Sequence, residues 1–278
     1  MSDLSDWIGR TQSVADIITQ SGVDRFCATI GCESHLGIVP LGYHWCLGLP
    51  DNPMHELGED GHPKKGGFLP PVELPRRMWA SSKVEFLRPL TIGETIKRHS
   101  SIAQVTEKDG KTGALVFVEV EHQTEVGGKT AINERQTIVY RQASSSAALL
   151  PEDNAETVYK ECEKNWQVIE QLKPDTRLLF RYSALTFNSH KIHYDLPYAK
   201  SQELYPGLIV HGPLMATFVL QLASKQGDVS EFSFRAMSPA YCDQSLLIAA
   251  NFQQKGGELA TIGGDGRTCL SAQVKYRS

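Results

Sequence analysis

The stretch that decides the fold is residues 180–223, which read FRYSALTFNSHKIHYDLPYAKSQELYPGLIVHGPLMATFVLQLA. Its last part has the pattern of a helix, because Pro213 suits a first helical turn and Gly212 suits a cap. Apolar side chains then repeat at helical spacing, at Leu214, Met215, Phe218, Val219 and Leu222. A loop with His190 and His193 precedes this helix, and the residues from 180 onward have the pattern of a short strand. The stretch therefore predicts a strand, a histidine-bearing loop and a helix buried on one face.

The start of this predicted helix is a place where negative charge can be held. The first N–H groups of a helix have no partner inside the helix, and the helix dipole is positive at that end. The preceding loop adds His190 and His193, and imidazoles transfer protons near neutral pH. One interpretation of this combination is a site that stabilises an oxyanion. The alternative is an ordinary core helix after an ordinary loop, with histidines that are hydrogen-bonded for structure.

The loop and the helix start resemble the signature of the MaoC-like (R)-specific enoyl-CoA hydratases. In that family an A-L-S-x-D-x-N-P-x-H loop precedes a V-H-G helix on a hot-dog fold. Residues 184–186 stand for A-L-S, His193 stands for the histidine, and residues 210–212 stand for V-H-G. His190 and Lys191 replace the asparagine and the proline. The resemblance implies the architecture of these hydratases.

One position departs from the signature in a way that affects the chemistry. Asn188 stands where the hydratases carry an aspartate, and an amide cannot accept a proton. The resemblance then implies that His193 moves the proton, that the Gly212 N–H holds the thioester oxygen, and that Asn188 orients water or substrate. His193 would act alone or with another acid such as Asp195 or His190.

A narrower resemblance concerns the substrate. Residues 66–94 (GGFLPPVELPRRMWASSKVEFLRPLTIGE), 183–195 and 205–214 are similar to the bacterial hydratases of itaconyl-CoA and mesaconyl-C4-CoA. The resemblance covers most of the chain. It implies hydration of a five-carbon dicarboxylic monothioester to citramalyl-CoA, in itaconate degradation or a related pathway. The implied reaction needs no cofactor, because coenzyme A is part of the substrate.

The free carboxylate of such a substrate needs a cation. Arg76 and Arg77 rank first, because guanidiniums beside an aromatic ring bind carboxylates in bidentate fashion. From the pattern alone, this pair also fits a solvated surface turn. Arg181 is a further candidate. The full set of predicted substrate-binding residues is Arg76, Arg77, His190, Lys191 and His211.

Outside the central stretch the sequence predicts two runs of antiparallel strands. The first run comprises residues 82–86, 91–96, 114–122 and 130–140, with hairpin turns at 108–111 and 126–129. The second run comprises residues 231–240, 245–253, 259–264 and 270–277. Residues 1–30 and 155–172 are predicted as helical, residues 31–75 as loops rich in Gly and Pro, and residues 143–153 as a linker.

The two runs form a degenerate repeat. Pro89 and Pro239 lie 150 residues apart before similar turns, and residues 138–141 are similar to residues 274–277. The repeat fits an α+β double hot-dog, with two antiparallel sheets, each wrapped around a helix, fused in one chain. The predicted domains are 1–150, which supports substrate and CoA binding, and 151–278, which is catalytic.

Composition limits the partners and the compartment. The chain has 278 residues, a hydrophobic fraction of 41% and a formal net charge of −4, which predict a globular core and no nucleic-acid binding. No apolar run is long enough to span a membrane, and the start has no signal-peptide pattern. The six cysteines form no C-x-x-C pair, which favours free thiols in a cytoplasmic protein. The expected partner is an acyl-CoA, and a homodimer of double hot-dog chains is the assembly considered.

No metal site is predicted. Four histidines lie in the loops before residue 75, but their spacing does not match a ligand set. They are His35, His44, His55 and His62. His190 and His193 have a spacing that suits a metal, but the sequence shows no third ligand.

Three other functions compete with hydration of a dicarboxylic thioester. The first is a hydratase or 3-hydroxyacyl-thioester dehydratase for straight acyl chains. The second is a hot-dog thioesterase, which would release the thiol. The third is a non-catalytic subunit that binds acyl-CoA. The sequence leaves these alternatives open, because hot-dog folds host several activities.

Overall fold

One antiparallel sheet forms the frame of the protein. The computed structural model describes residues 3–110, 113–143 and 145–277, and within them the sheet has ten strands. The strands are β1 Thr11–Ile17, β2 Arg76–Phe86, β3 Thr95–Gly110, β4 Gly113–Val126, β5 Lys129–Arg141, β6 Val168–Leu172, β7 Val229–Ala236, β8 Leu246–Gln253, β9 Gly256–Gly263 and β10 Thr268–Tyr276. Their order across the sheet is β1-β3-β4-β5-β2-β7-β10-β9-β8-β6.

The sheet consists of two halves with the same internal order. From the outer edge inward, the first half runs β1-β3-β4-β5-β2 and the second runs β6-β8-β9-β10-β7. The innermost strands β2 and β7 pair with each other, with Ser82 opposite Phe234 and Val84 opposite Phe232. This pairing satisfies one edge of each half. The predicted fold of two related sheets joined edge to edge is confirmed.

The helices lie between the first and second strands of each half, or just before the second half. They are α1 Gln20–Ile30, α2 Ala155–Cys162, α3 Thr176–Leu185, α4 Leu196–Ser201 and α5 Gly212–Ser224. Helix α5 packs against β2 and β7 to β10. The corresponding segment of the first half, between β1 and β2, contains α1 and short 3-10 turns at Tyr43–Cys46 and Met54–Glu56. The two halves therefore differ most in the helical segment between their first two strands along the chain, which contains α1 in the first half and α3, α4 and α5 in the second.

The predicted helix α5 is present, with a small change at its start. The N-cap residue is His211, and Gly212 and Pro213 are the first two helical residues. The buried side chains of the helix are Leu214, Met215, Ala216, Thr217, Val219, Leu220, Leu222 and Ala223. Among the described residues, no helix has the length and apolar composition needed to cross a bilayer.

The strand predicted from residue 180 onward is wrong, because these residues belong to α3. Asp175 caps that helix by accepting a hydrogen bond from the Leu178 N–H at 2.9 Å, so the helix begins before residue 180. Leu179 and Tyr182, three positions apart, are both fully buried. A short apolar run fits a strand and a helix turn equally well. The Asp175 cap starts a helix upstream of this run, and the run continues that helix.

Two other predicted helical regions are only partly helical. In residues 155–172, α2 ends at Cys162 and β6 follows, with Val168 opposite Ala250 of β8. In residues 1–30, β1 precedes α1 and pairs with the edge of β3. β1 is mostly exposed, so it lacks the alternation of apolar and polar residues that marks a half-buried strand.

Both halves contribute to one hydrophobic core. Phe26 and Tyr43 of the first half lie in the same cluster of buried side chains as Tyr182, Leu220 and Phe232 of the second. The predicted boundary after residue 150 falls in the loop between β5 and α2. Lys111 of the predicted 108–111 turn and Ser144 of the predicted linker lie outside the described residues. The division into two domains stays a prediction.

Candidate active site

Four histidine rings lie in a row, which we call the histidine row. In order, the row consists of His62, His190, His193 and His211. The successive ring centroids are 4.1, 5.5 and 3.6 Å apart, and the last pair is stacked with an interplanar angle of 18°. His62 comes from the loops before β2, whereas the other three come from the chain between α3 and α5. The row therefore crosses between the two halves of the sheet.

His193 is held so that one ring nitrogen remains available. Its Nδ1 lies 2.8 Å from the carbonyl oxygen of Ile209. Because a carbonyl only accepts, Nδ1 carries the hydrogen and Nε2 carries the lone pair. Ile209 itself is fixed by a β-bridge to Tyr241. Nε2 of His193 has no hydrogen-bond partner among the residues that the structure describes.

The environment of His193 keeps its ring neutral. Burial lowers the pKa of His193 to about 4, and the hydrogen bond to Ile209 only partly opposes this effect. At neutral pH the Nε2 lone pair is therefore free to accept a proton.

His211 links the row to the start of α5. Its Nε2 lies 2.8 Å from the Ser183 hydroxyl, whereas its Nδ1 is buried without a partner in the described chain. Burial and the charge of a protonated His193 lower the pKa of His211 well below its ordinary value. Gly212 follows immediately, and its N–H has no acceptor among the residues that the structure describes. An open backbone N–H thus lies one residue from the ring that stacks on His193.

A loop of the first half contacts the loop of the second half that carries His190 and His193. The Lys191 N–H donates to the Asp60 carbonyl at 2.9 Å, and the Ser189 hydroxyl donates to the Gly61 carbonyl. The next residue, His62, has its Nδ1 3.0 Å from Oδ2 of Asp60. Because a carboxylate only accepts, Nδ1 of His62 carries the hydrogen and Nε2 carries the lone pair. His62 and His193 therefore have the same tautomer.

Charge at the outer end of the row follows from burial and from one guanidinium. Burial lowers the pKa of both His62 and His190, and Arg77 lowers both further. Burial raises the pKa of Asp60, but its hydrogen bond with His62 and the charges of His62 and Arg77 outweigh burial, so the net pKa is lowered. At neutral pH this end contains neutral imidazoles and an ionised carboxylate.

Two predicted polar partners of His193 have other contacts. Asn188 accepts a hydrogen bond from the His190 N–H at 3.0 Å through Oδ1, so it shapes the loop that carries the row. Asp195 caps α4 by accepting from the Tyr198 N–H at 3.0 Å. The carboxylate nearest to the row is instead Asp60.

The predicted cations differ in their surroundings. Arg76 is buried, with Nε 2.8 Å from Oε2 of Glu203, and it also donates to the Glu203 carbonyl. Arg77 acts electrostatically on Asp60, His62 and His190. Two others lie elsewhere: Lys191 has its Nζ 5.1 Å from the Tyr198 ring centroid, and Arg181 is exposed beside Ala28. Of the adjacent pair, Arg77 is the cation beside the row.

The structure brings together a set of metal-ligand atoms that the sequence did not reveal. One ligand atom each of Asp60, His62 and His190 lies within 4.8 Å of the other two. Two imidazoles and one carboxylate are a common ligand set for transition metals. The sequence shows no third ligand for His190 because the other two residues come from a distant loop. The positive charge of Arg77, which lowers the pKa of all three residues, opposes a cation at this point.

The histidine row opens toward solvent at one end. The side chains of Asp60 and His62 are 25% and 22% exposed, whereas His211 is 1% exposed. Two surface cavities of about 450 and 580 Å³ lie elsewhere, one along α1 and the other at the start of α3, and neither is lined by a histidine of the row.

The structure brings His190, His193, His211 and Gly212 together, and it adds Asp60 and Ser183, which the sequence patterns did not single out. The short spacing of Asp60 and His62 was visible, yet no periodicity indicates which loop of the other half they contact. Only the tertiary structure shows that contact.

Comparison with known proteins agrees with this architecture. The sequence profile of the hydroxyacyl-thioester dehydratase type 2 family matches residues 42–242. The chain is 38% identical, over 286 aligned positions, to the mesaconyl-C(4)-CoA hydratase of Chloroflexus aurantiacus, covering 99% of this chain and 98% of that protein. It is 25% identical to the mitochondrial hydroxyacyl-thioester dehydratase type 2 of Schizosaccharomyces pombe, covering 84% of this chain and 87% of that protein.

Solved structures with low sequence identity share the fold. HtdX of Mycobacterium tuberculosis superposes with a TM-score of 0.71 at 17% identity, covering 96% of this chain and 100% of HtdX. Another Mycobacterium tuberculosis protein, described as a double hot-dog fold, superposes with a TM-score of 0.56 at 11% identity, covering 96% and 95%. The predictions of a double hot-dog fold and of a hydratase-type enzyme are confirmed, and the chain belongs to the hydroxyacyl-thioester dehydratase type 2 family.

Proposed function

We propose that this protein hydrates a five-carbon dicarboxylic monothioester of coenzyme A, mesaconyl-C4-CoA or itaconyl-CoA, to give citramalyl-CoA. One observation carries the proposal. The neutral His193 ring has an available Nε2 and stacks on the His211 ring, with the ring centroids 3.6 Å apart. His211 immediately precedes Gly212, whose N–H is open. A proton acceptor and an oxyanion donor therefore stand side by side, as hydration of an unsaturated thioester requires.

The proposed chemistry follows from these two groups. The oxygen of a water molecule bonds to C3, and the π electrons of the C2–C3 double bond move into the thioester oxygen. The Gly212 N–H stabilises the resulting enolate. Nε2 of His193 transfers the proton that C2 gains when the enolate collapses, and an imidazole of the row takes up the proton that the attacking water loses. The sum is addition of H to C2 and OH to C3.

A cation beside the histidine row supports the choice of a dicarboxylic thioester, whose free carboxylate needs a positively charged partner. In mesaconyl-C4-CoA this carboxylate is attached to C3, so it lies next to the carbon that takes the water. Arg77 is the predicted cation that acts on the outer end of the row, whereas Arg76 already pairs with Glu203. The relative of 38% identity that carries the name mesaconyl-C(4)-CoA hydratase supports the same substrate class.

Itaconyl-CoA requires one additional step, because its double bond is not conjugated with the thioester. His193 would move a proton from C2 to the terminal methylene, which gives the mesaconyl isomer before water adds. The same enolate stabilisation by Gly212 serves both steps. Deuterium from solvent should therefore enter C2 during turnover of itaconyl-CoA.

The proposal also includes the pathway and the setting. Citramalyl-CoA formation would place the enzyme in itaconate degradation or a related route. The cytoplasm is the expected compartment, and the six cysteines Cys27, Cys32, Cys46, Cys162, Cys242 and Cys269 are all free thiols. A homodimer of double hot-dog chains remains the proposed assembly, and no cofactor is required besides the coenzyme A of the substrate.

A comparison of substrates tests the proposal. Purified protein is incubated separately with mesaconyl-C4-CoA, itaconyl-CoA and crotonyl-CoA, and products are separated chromatographically while free thiol is titrated. We expect citramalyl-CoA from the first two substrates, slow turnover of crotonyl-CoA and no thiol release. Preferred hydration of crotonyl-CoA would indicate a straight-chain hydratase, thiol release would indicate a thioesterase, and binding without turnover would indicate a non-catalytic subunit.

A further inference from the structure

The loop of the first half brings a carboxylate–imidazole pair to the histidine row. Asp60 Oδ2 and His62 Nδ1 are 3.0 Å apart, and the His62 ring lies 4.1 Å from His190. The Lys191 N–H, which donates to the Asp60 carbonyl, and the Ser189 hydroxyl, which donates to the Gly61 carbonyl, hold this loop in place. The pair is partly exposed, so water reaches it. None of the sequence motifs described above accounts for this arrangement.

Hydration involves two separate proton transfers. One proton leaves the attacking water near C3, and one proton arrives at C2 next to the thioester. In this protein, position 188 supplies an amide whose Oδ1 is hydrogen-bonded to the His190 N–H, so it offers no base there. His193 lies beside the oxyanion donor, which suits the transfer at C2 better than the transfer at C3.

We propose that Asp60 and His62 form the second proton-transfer pair of the active site, in which His62 takes the proton of the attacking water and His193 serves C2. This inference rests on the hydratase function proposed above. Asp60 fixes the tautomer of His62 through its hydrogen bond, so that Nε2 presents a lone pair. The Asp60 carboxylate also stabilises the imidazolium that forms when His62 accepts the proton.

The proton balance closes through water. The water oxygen bonds to C3, its proton moves to Nε2 of His62, and the π electrons pass into the thioester oxygen. The His62 imidazolium then returns this proton to solvent, which reaches the partly exposed end of the row. His193 takes a proton from water at Nε2 and delivers it to C2, because its Nδ1 hydrogen stays on the Ile209 carbonyl. Both rings return to the neutral state.

The order of groups along the row matches the order of atoms in the substrate. His211 and Gly212, whose N–H is the proposed oxyanion donor, lie at the inner end, and His193 is next. The outer end contains Asp60 and His62, with Arg77 acting on both. Because C3 bears the free carboxylate, the carboxylate-binding cation and the water base belong at the same end.

Two different readouts separate His62 from His193. In D₂O, citramalyl-CoA exchanges the hydrogen on C2 whenever the C2 base and the oxyanion donor are intact, even if water addition is blocked. For His62→Gln we expect hydration of mesaconyl-C4-CoA to fall about 100-fold or more, with C2 exchange near the wild-type rate. For His193→Gln we expect both reactions to be lost. Asp60→Asn should reproduce the His62→Gln pattern, because the amide favours the other tautomer of His62.

Control variants distinguish chemistry from structure. His55→Gln changes an exposed histidine in the same loop region and should leave both rates unchanged. Ser189→Ala removes the hydrogen bond from the Ser189 hydroxyl to the Gly61 carbonyl but removes no proton acceptor of the row. Its hydration rate and its C2 exchange rate should therefore change together. Thermal unfolding of each variant verifies that it is folded.

The outcomes keep this inference separate from the proposed function. If the wild-type protein does not hydrate the dicarboxylic thioesters, the proposed function fails. If the wild-type protein is active and His62→Gln has normal hydration, only the pair is wrong. The pair is equally wrong if folded His62→Gln loses C2 exchange as completely as His193→Gln. About one bound metal ion per chain, with hydration abolished by EDTA, would also overturn it, because Asp60, His62 and His190 would then be metal ligands.

Discussion

Gly61 lies so close to the backbone of Ser189 that a Cβ on Gly61 would stand 1.8 Å from the Ser189 carbonyl oxygen. The φ angle of Gly61 is +90°, a conformation that other residues rarely adopt. Gly61 belongs to the loop that contributes His62, and Ser189 belongs to the loop that contributes His190 and His193. Their contact shows that the site forms only when both halves are docked.

We expect Gly61→Ala to separate these loops and to impair catalysis. The new methyl group meets backbone atoms, which do not move as a flexible side chain does. Gly93→Ala is the matched control, because Gly93 has a φ of +92° but nothing within 4 Å of its Cβ position. Gly93→Ala should cost only backbone strain of about 1–2 kcal/mol. Urea unfolding and hydration rates measure both variants, and equal effects would show that the loop contact is unimportant.

Asn188→Asp should alter activity rather than abolish it. An aspartate retains the oxygen that accepts from the His190 N–H, so the loop should keep its shape. Its negative charge raises the pKa values of nearby imidazoles. The acidic limb of the profile of kcat/KM against pH should therefore move to higher pH. Asn188→Ala, which loses the acceptor oxygen, is the control for loop shape, and a profile unchanged by the aspartate would exclude this charge effect.

Replacing Arg76 and replacing Arg77 by alanine should have different consequences. Arg76→Ala leaves Glu203 buried without its ion-pair partner, which typically costs about 3–5 kcal/mol of stability. Arg77→Ala should instead raise KM for mesaconyl-C4-CoA and leave crotonyl-CoA kinetics nearly unchanged. Denaturant unfolding and steady-state kinetics of both variants test this. A selective substrate effect in Arg76→Ala, rather than in Arg77→Ala, would reverse the assignment.

The stability of the protein should fall in mild acid. Burial lowers the pKa of His44 to about 3, of His122 to about 4 and of His193 to about 4. In the unfolded chain histidine has a pKa of about 6.5, so below that pH the unfolded state binds more protons. Stability is thus full above about pH 6.5 and decreases toward pH 4, by about 1.4 kcal/mol per pH unit for each such histidine.

Urea unfolding at pH 7.5 and pH 5.5 measures this dependence. The free energy of unfolding should be lower at pH 5.5, and His122→Gln should reduce the difference, because one titrating group is removed. Equal or greater stability at pH 5.5 would contradict the neutral state of these buried rings.

Several elements followed directly from sequence pattern. Helix α5 and the strands β7 to β10 lie close to their predicted positions, because the apolar spacing in these segments agrees with the structure. Residues 180–185 did not, because a short apolar run fits both strand and helix and the Asp175 cap lay upstream. β1 was missed because an exposed edge strand has no apolar alternation.

The candidate site was predictable only on one side. Residues from His190 to Gly212 are close in the sequence, so their proximity followed from one loop and one helix start. Asp60 and His62 reach the same place through contacts between loops that are far apart in the chain. Such contacts depend on docking of two halves and leave no local pattern.

The hydration rate of His193→Ala on mesaconyl-C4-CoA tests the central claim most directly. The claim is that a neutral imidazole beside an open helix N–H moves the proton of the reaction. The variant should fold, as judged by its unfolding midpoint, and should lose about 100-fold or more of the wild-type rate. A folded His193→Ala protein that hydrates mesaconyl-C4-CoA at the wild-type rate would contradict the claim.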